Sequence, residues 1–291
     1  MRKTSIFLAL FCAGIVACNN EKIRIKTDCE KLKIKGKVQN ITEIYYLPVV
    51  LNDTIKQGER TSNAPSFFEL DDEPFISYES VLYFNRDGNI AECVMTDSAT
   101  DFYFREIFEY SGDLLMNKEG LLSDEFFYKQ VFAYDSKKRE KKRDFYDRTD
   151  HLFESVSIEY IDENNLVETV NTDAGGTNFE RKIRLKNGLP VSSESAVKSL
   201  QIERWTGEYD SLGQITLSEL YDEGNNLAQR VKYEYDSLGN EITCTISSAD
   251  EQIVEYVYMY KYDEYNNWIQ RATVADNCPE VIMVRKIAYY E

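Results

Sequence analysis

Paired carboxylates are the residues in this sequence that come nearest to a catalytic arrangement. Two carboxylates about 5–9 Å apart can hydrolyse a glycosidic bond. Adjacent acids occur at Asp71-Asp72-Glu73, Asp162-Glu163, Asp222-Glu223 and Asp263-Glu264. Solvated turns account for such acids without any chemistry. We therefore predict that the chain is not an enzyme, and a carboxylate-based glycoside hydrolase is the less favoured alternative.

Residues for nucleophilic or metal chemistry are scarce. The 291 residues include a single histidine, His151, which follows Arg148 in a turn-like segment. One histidine excludes two-histidine zinc sites, the HExxH motif and a Ser–His–Asp triad built on a second histidine. Three pairings are open to the cysteines of the body, which are Cys29, Cys93, Cys244 and Cys278, and free thiols are equally compatible. There is no CxxC spacing, so we predict neither a metal nor a cofactor.

Two loops could bind ions. The segment Asn85–Asn89 has oxygen-bearing side chains at alternate positions, like the start of a calcium loop, but lacks the downstream bidentate acid. A turn is the favoured interpretation. The basic run Lys137–Arg143 could contact lipid phosphates. A charged strand and turn that discourages edge pairing is the favoured interpretation there.

Overall charge and composition limit the partners and the fold. The chain has 51 acidic and 34 basic residues and a formal charge of −17. Duplex binding needs a basic surface, so nucleic acid is not an expected partner. Tyrosine (21) and phenylalanine (15) are abundant while proline (5) is rare, a balance that favours β-strands.

A recurring pattern organises the body of the chain. A strand ends in an aromatic residue, usually followed by Asp and then by turn residues that include Gly or Asn. Three tyrosines recur at the same spacing 75 positions later in the chain. The first set is Tyr134, Tyr146 and Tyr160, and the second is Tyr209, Tyr221 and Tyr235. Ungapped alignment of 134–160 with 209–235 gives nine identities in 27 positions. This indicates an internal duplication of a unit of several hairpins, with that offset as its period.

The pattern predicts an all-β fold, a repetitive antiparallel β-hairpin meander that forms an extended twisted sheet and can curl into an open barrel. Asp and Asn after a strand favour tight turns, and apolar and charged residues alternate along the strands. We divide the chain into a signal peptide (1–17), a tether (18–31), an N-terminal strand with an irregular cap (32–78) and a repeat region (79–291). Residues 281–290 are predicted to form a final strand that closes an open edge.

The tryptophans are candidates for stacking on sugar rings. Trp268 falls at a repeat position, so we interpret it as structural packing. Trp205 is outside the pattern, since its counterpart in the earlier copy of the unit is Gln130. Trp205 is therefore our candidate ligand-binding residue.

The N-terminus has the features of an export signal. Arg2 and Lys3 precede an apolar run of 13 residues, Ser5 to Ala17, which is too short to span a membrane. The run ends in Ile15-Val16-Ala17-Cys18, which resembles the bacterial lipobox. The resemblance implies that Cys18 receives a diacylglycerol and becomes the new N-terminus. We expect a protein lipid-anchored in the cell envelope, at the outer membrane.

Two segments carry a second resemblance. Tyr233–Asn240 (YEYDSLGN) and Tyr260–Arg271 (YKYDEYNNWIQR) resemble the YD (Rhs-type) repeat, in the short form found in bacterial envelope lipoproteins. Several turns depart from that pattern because they lack glycine. The resemblance implies a β-meander without catalytic residues.

These features together predict a lipid-anchored envelope protein that displays a non-catalytic repeat sheet for binding or scaffolding. The expected partners are the membrane, through the lipid, and either a glycan or other envelope proteins. The alternative function is glycan binding for polysaccharide capture, which the surplus of aromatic residues motivates.

Overall fold

The computed structural model describes residues 25–61, 69–70, 73–74, 79–97, 101–173, 179–197, 200–249 and 252–291. Its elements are the short helix α1 (Asp28–Lys31) and 21 strands, which in chain order are β1 (Val38–Leu51), β2 (Thr54–Arg60), β3 (Glu69–Leu70), β4 (Glu73–Pro74), β5 (Glu79–Phe84), β6 (Ile90–Asp97), β7 (Phe102–Ser111), β8 (Leu114–Leu122), β9 (Glu125–Tyr134), β10 (Glu140–Tyr146), β11 (Leu152–Tyr160), β12 (Asn165–Thr172), β13 (Phe179–Lys186), β14 (Leu189–Val197), β15 (Leu200–Tyr209), β16 (Ile215–Tyr221), β17 (Leu227–Tyr235), β18 (Glu241–Ser248), β19 (Ile253–Tyr262), β20 (Trp268–Ala275) and β21 (Cys278–Tyr289).

The strands form a closed ring. From β5 to β21 each strand pairs antiparallel with the next, as the hairpin meander predicts, and β1 lies between β21 and β5. β1 and the strands β5 to β21 thus make a barrel of 18 strands. The predicted final strand is present as β21, and its pairing with β1 removes the open edge. In porins with about 16–18 strands the wall side chains leave a channel, whereas several side chains of this wall, such as Phe104 and Glu106, are fully buried.

The two faces of the wall differ sharply. Directly paired residues share a face, so Ile41 lies beside Leu82 on β5 and Ile287 on β21. Following these pairings round the ring places most buried residues and the tyrosine ladder of β19 on one face, and we assign this less accessible face to the interior of the ring. Ile44, Ala272 and Ile282 are exceptions, because they are buried on the outer face near β1. The described residues form four separate hydrophobic clusters along the wall rather than one central core.

The Asp-containing turns explain the repeat in the sequence. In the turn that Asp236 begins, its Oδ1 accepts hydrogen bonds from the backbone N–H groups of Leu238 and Asn240, both at 2.8 Å. The same pair of bonds forms in the turns that begin at Asn85, Asp135, Asp147, Asp210 and Asp263. The fourth turn residue adopts a positive φ, 84° at Gly239 and 61° at Lys138. Glycine is thus the favoured residue at that position but is not required.

The duplication is visible in three dimensions. The Tyr134 hydroxyl donates to the Leu115 carbonyl at 2.7 Å, and Tyr209 donates to the Pro190 carbonyl at 2.8 Å. The donor and the acceptor of the second bond each lie 75 positions after those of the first, which is the offset of the duplication in the sequence.

Connections alternate between the two ends of the ring. We call the end that receives α1 the tether end; it carries the turns after β5, β7, β9, β11, β13, β15, β17 and β19. The opposite, far end carries the connections after β6, β8, β10, β12, β14, β16, β18 and β20, together with the β1–β2 hairpin.

Candidate functional site

Residues 25–37, the docked segment, lie over the mouth of the tether end. Thr27 and Glu30 form a capping box that begins α1, and Cys29 is buried against Val38 and Phe84. Further along, Asn267 accepts from the backbone N–H of Lys35 and donates to its carbonyl, both at 2.8 Å. Part of the predicted tether (18–31) is therefore packed on the barrel.

Asp28 completes a set of tyrosine–carboxylate bonds. Tyr262 and Tyr289 donate their hydroxyls to turn aspartates one hairpin back, Asp236 and Asp263. The β5–β6 turn begins with Asn85, which has no second carboxylate oxygen to offer. There the Tyr110 hydroxyl donates at 2.7 Å to Asp28, which also accepts from the Ile90 backbone N–H at 3.0 Å. The docked segment thus supplies the acid that this turn lacks.

The inner wall contains a buried ion pair below the docked segment. Glu43 and Arg285 meet at 2.7 Å, and the Arg285 guanidinium lies 3.3 Å from the centre of the Trp268 ring. Burial lowers the pKa of Arg285, and the charge of Glu43 opposes that shift. The contact between Arg285 and the Trp268 ring confirms Trp268 as a packing residue.

A second buried acid lies on the inner face of β7. Glu106 is fully buried; its Oε1 accepts from the Tyr128 hydroxyl and lies 2.7 Å from Lys118 Nζ. The Tyr128 ring lies over Gly120, where a Cβ would meet it at 2.3 Å. Glu106 sits between Phe104 and Phe108 in the alternating pattern, so the sequence places it on the aromatic face. We did not single it out on that signal.

Trp205, the predicted ligand-binding residue, lies half-buried on the inner face of β15. Its indole N–H donates to the Ser218 hydroxyl at 2.8 Å, and its ring lies over Gly207, where a Cβ would come within 2.4 Å. One face of the ring is therefore packed on the wall. This placement gives Trp205 a packing role and also sets it on the lining of the lumen.

The predicted acid pairs lie in turns. Asp162, Asp222 and Asp263 each accept backbone hydrogen bonds within their own turn. Hydrogen bonds from Asn165 and from Asn226 lower the pKa of Asp162 and Asp222 respectively. A general acid needs a raised pKa, so the lowered pKa values of Asp162 and Asp222 do not suit that role. Asp71 and Asp72 lie outside the described residues.

Acids with raised pKa values lie at other positions. Burial raises the pKa of Glu140, Glu154 and Glu241. Glu140 is paired with Arg143 at 2.7 Å. For Glu241, the main effect that opposes the rise in pKa is a hydrogen bond from Tyr258. Sequence reasoning missed these residues because their pKa shifts depend on burial on the inner wall.

The remaining candidate loops have structural roles. Asn85 accepts the two turn hydrogen bonds at 3.0 Å that Asp accepts elsewhere. His151 is exposed, with its Nε2 3.2 Å from Asp173. The basic run 137–143 forms the β9–β10 turn and the start of β10, where Arg139 pairs with Asp135 at 2.7 Å.

The four cysteines of the body are free thiols. Cys29, Cys93 and Cys244 are buried and Cys278 is exposed. Burial raises the pKa of Cys29 to about 11 and that of Cys244 to about 12, so both are protonated at neutral pH. Within the described ranges, no three metal-ligating side chains lie together. In that same part of the chain, no helix has the length and apolar character needed to cross a membrane.

No family model and no curated protein matches this sequence. Among solved structures, a porin-like protein from Bacteroides vulgatus matches with a TM-score of 0.37 and 11% identity, over 88% of this chain and 99% of that one. A porin-like protein from Bacteroides uniformis matches with a TM-score of 0.29 and 8% identity, over 86% and 96%. The Photorhabdus luminescens Tc holotoxin pore matches with a TM-score of 0.20 and 11% identity, over 72% of this chain and 15% of that one.

Proposed function

We propose that this chain is a lipid-anchored protein of the bacterial cell envelope whose barrel stands in water as a non-catalytic binding or scaffolding module. The observation that carries the proposal is the polarity of the wall. Charged residues alternate along the outer face, and aromatic residues line the inner face.

β13 illustrates this polarity. Its outer face presents Glu180, Lys182, Arg184 and Lys186, all exposed, while Ile183 and Leu185 are buried on the inner face. Other strands add ion pairs on the same outer face, such as Arg105–Glu92 between β7 and β6 and Arg230–Glu219 between β17 and β16. A barrel that spans a membrane needs an outer apolar band about 25 Å tall. The charged outer face supports a barrel held beside the membrane instead.

The lipid at Cys18 would supply that attachment. Six residues lie between Cys18 and Ile25, where the docked segment begins. Diacylglycerol with a further acyl chain gives stable anchoring, whereas one chain gives only marginal binding.

The anchor can be tested by fractionating bacterial cells that express the full chain. We expect Cys18→Ala to move the protein out of the membrane fraction, with Cys278→Ala, which removes the exposed thiol of the barrel, as the matched control. Metabolic labelling with a palmitate analogue should mark the wild type and the Cys278→Ala variant. Labelling and membrane retention of Cys18→Ala would overturn the anchor.

Glycan capture is the second candidate, supported by the position of Trp205 on the lining of the lumen. A glycan array probed with residues 19–291 would identify a polysaccharide class, and titration of that class should change tryptophan fluorescence. The change should disappear in Trp205→Phe and persist in Trp268→Phe, since Trp268 is packed against Arg285. Binding that survives Trp205→Phe unchanged would exclude this residue from the site.

The non-catalytic part of the proposal rests on the roles of the acids. The predicted pairs that are described serve their own turns, and Glu106 and Glu43 are held by Lys118 and Arg285. Turnover of a glycoside that is lost in Glu241→Gln or Glu140→Gln would contradict it.

A further inference from the structure

We propose that the tether end of the barrel lies against an anionic membrane surface, with exposed lysines of the docked segment and the β9–β10 turn at the lipid phosphates. The far end would point away from the membrane. The proposal rests on the proposed lipid anchor for proximity and adds the face that meets the lipid.

The two ends of the barrel differ strongly in charge. The described connections of the far end carry nine acidic residues and one basic residue, Arg148. The tether end, counted as the docked segment, its eight turns and residues 290–291, carries twelve acidic and nine basic residues. An anionic surface therefore repels the far end much more strongly than the tether end.

Some acids of the tether end are used within the fold, while others, among them Asp87, Asp113, Glu163 and Glu264, are exposed. Asp28, Asp236 and Asp263 accept tyrosine hydroxyls, and the turn aspartates accept the N–H groups of their own turns. Lys31 pairs with Asp28 at 2.9 Å, and Lys33 donates to the Gly239 carbonyl at 2.6 Å. Five further lysines are exposed and are the ones we assign to the lipid surface, namely Lys26, Lys35, Lys37, Lys137 and Lys138.

The anchor holds this end close enough for these charges to act. The seven residue steps from Cys18 to Ile25 span at most about 25 Å when extended, so a lipid on Cys18 keeps Ile25 within that distance of the bilayer. Lysines near an anionic leaflet are attracted within a Debye length, which is about 10 Å at 0.1 M salt. An acyl anchor and a set of exposed lysines at the same end of the molecule are two signals that together favour membrane association.

The test measures lysine accessibility on vesicles. Residues 18–291 carrying Cys278→Ser are coupled through Cys18 to a maleimide lipid, either in phosphatidylcholine vesicles or in vesicles that also contain phosphatidylglycerol. Acetylation of each lysine is then measured by mass spectrometry. We expect about fivefold less labelling of the five assigned lysines on the anionic vesicles, with the protection lost in 0.5 M NaCl. Lys182, Lys232 and Lys261 on the outer wall are the controls and should be labelled equally on both.

A charge variant makes the assignment specific. Lys26→Gln/Lys35→Gln/Lys37→Gln should reduce the protection of Lys137 and Lys138, whereas Lys182→Gln/Lys232→Gln/Lys261→Gln should not. Equal labelling of the five lysines on both vesicles, or protection of the outer-wall lysines instead, would overturn the proposed orientation. Because the coupling is chemical, this result is independent of lipidation in cells, so failure of the orientation and failure of the anchor can be told apart.

Discussion

The tether end and the far end are built from the same turns but are tied together differently. At the tether end, Tyr262 and Tyr289 bind the aspartates of neighbouring turns, and the docked segment binds the turns after β5, β17 and β19. At the far end, Asp147 begins a turn with the same internal hydrogen bonds, and its partners are Thr149 and His151 of that turn. A repeat therefore fixes the local turn, while side chains outside the repeat decide whether turns are joined to one another.

The far end also exposes more apolar surface. Leu47, Val49, Val50 and Leu51 of the β1–β2 hairpin are each between 42% and 55% exposed, and Leu200 and Ile253 lie at the same end. Beyond Tyr46, β1 separates from β21, and its pairing partner among the described strands is β2. The difference between the ends thus extends from hydrogen bonding to surface chemistry.

The largest effect should come from removing a turn acid that also accepts a tyrosine. Asp263→Ala removes acceptors for the N–H groups of Tyr265 and Asn267 and for the Tyr289 hydroxyl. At roughly 1 kcal/mol for each bond, we expect a loss of about 3 kcal/mol in the free energy of unfolding, measured by urea denaturation.

The matched variant at the far end is Asp147→Ala. It removes the same kind of turn acceptor, but within the described part of the chain the hydrogen bonds of its carboxylate come from Thr149 and His151 of its own turn. We expect a clearly smaller loss than for Asp263→Ala. Equal losses at the two ends would show that the tyrosine bonds contribute nothing beyond the turn itself.

The pH dependence of the free energy of unfolding should also differ between the two ends, by less than the losses expected for the alanine variants. Burial alone would raise the pKa of Asp236, but hydrogen bonds from Tyr262 and Asn240 outweigh it and hold that pKa below its usual value. A carboxyl with a lowered folded-state pKa stabilises the fold above its unfolded pKa of about 3.9, and that contribution is lost as pH falls through the folded value.

We therefore expect Asp236→Asn to be about 1 kcal/mol less stable than the wild type at pH 7 and to lose less stability on going from pH 5 to pH 2.5. Hydrogen bonds from Thr149 also lower the pKa of Asp147, yet solvent screens that exposed group. Asp147→Asn should change the acid dependence less. The check is urea denaturation across this pH range, and parallel curves for Asp236→Asn and the wild type would refute the linkage.

Much of the fold could be predicted from the sequence because the repeat is local. Asp or Asn in the first turn position, a residue tolerant of positive φ in the fourth and alternating strands all lie within a few residues of one another. The period of the duplication then correctly relates Tyr134 to Tyr209 and their carbonyl acceptors. The predicted closing strand followed from the need to cover a sheet edge.

The candidate site was less predictable because it depends on pairs that are distant in sequence. Glu43 and Arg285 are 242 residues apart, and Asp28 and Tyr110 are 82 apart. Closure of the ring by β1 brings the first pair together, and docking of residues 25–37 brings the second. Neither has a local signal, and only Glu106 carried one, through its place among the aromatic residues of β7.

The smallest expected effect concerns the fourth turn position, where the tether end is not optimal. Lys138 adopts a φ of 61° there, whereas Gly239 adopts 84° in the same place of the β17–β18 turn. The left-handed conformation costs a residue with a Cβ about 1–2 kcal/mol, and glycine avoids that cost but loses more chain entropy on folding. We expect Lys138→Gly to raise the free energy of unfolding by about 0.5 kcal/mol. At the far end Asn225 adopts a φ of 59°, which asparagine tolerates, and its Oδ1 accepts from Arg204 at 2.9 Å, so Asn225→Gly should bring no gain in stability. A loss of stability in Lys138→Gly would mean that the lysine side chain makes a contribution larger than the strain of its backbone.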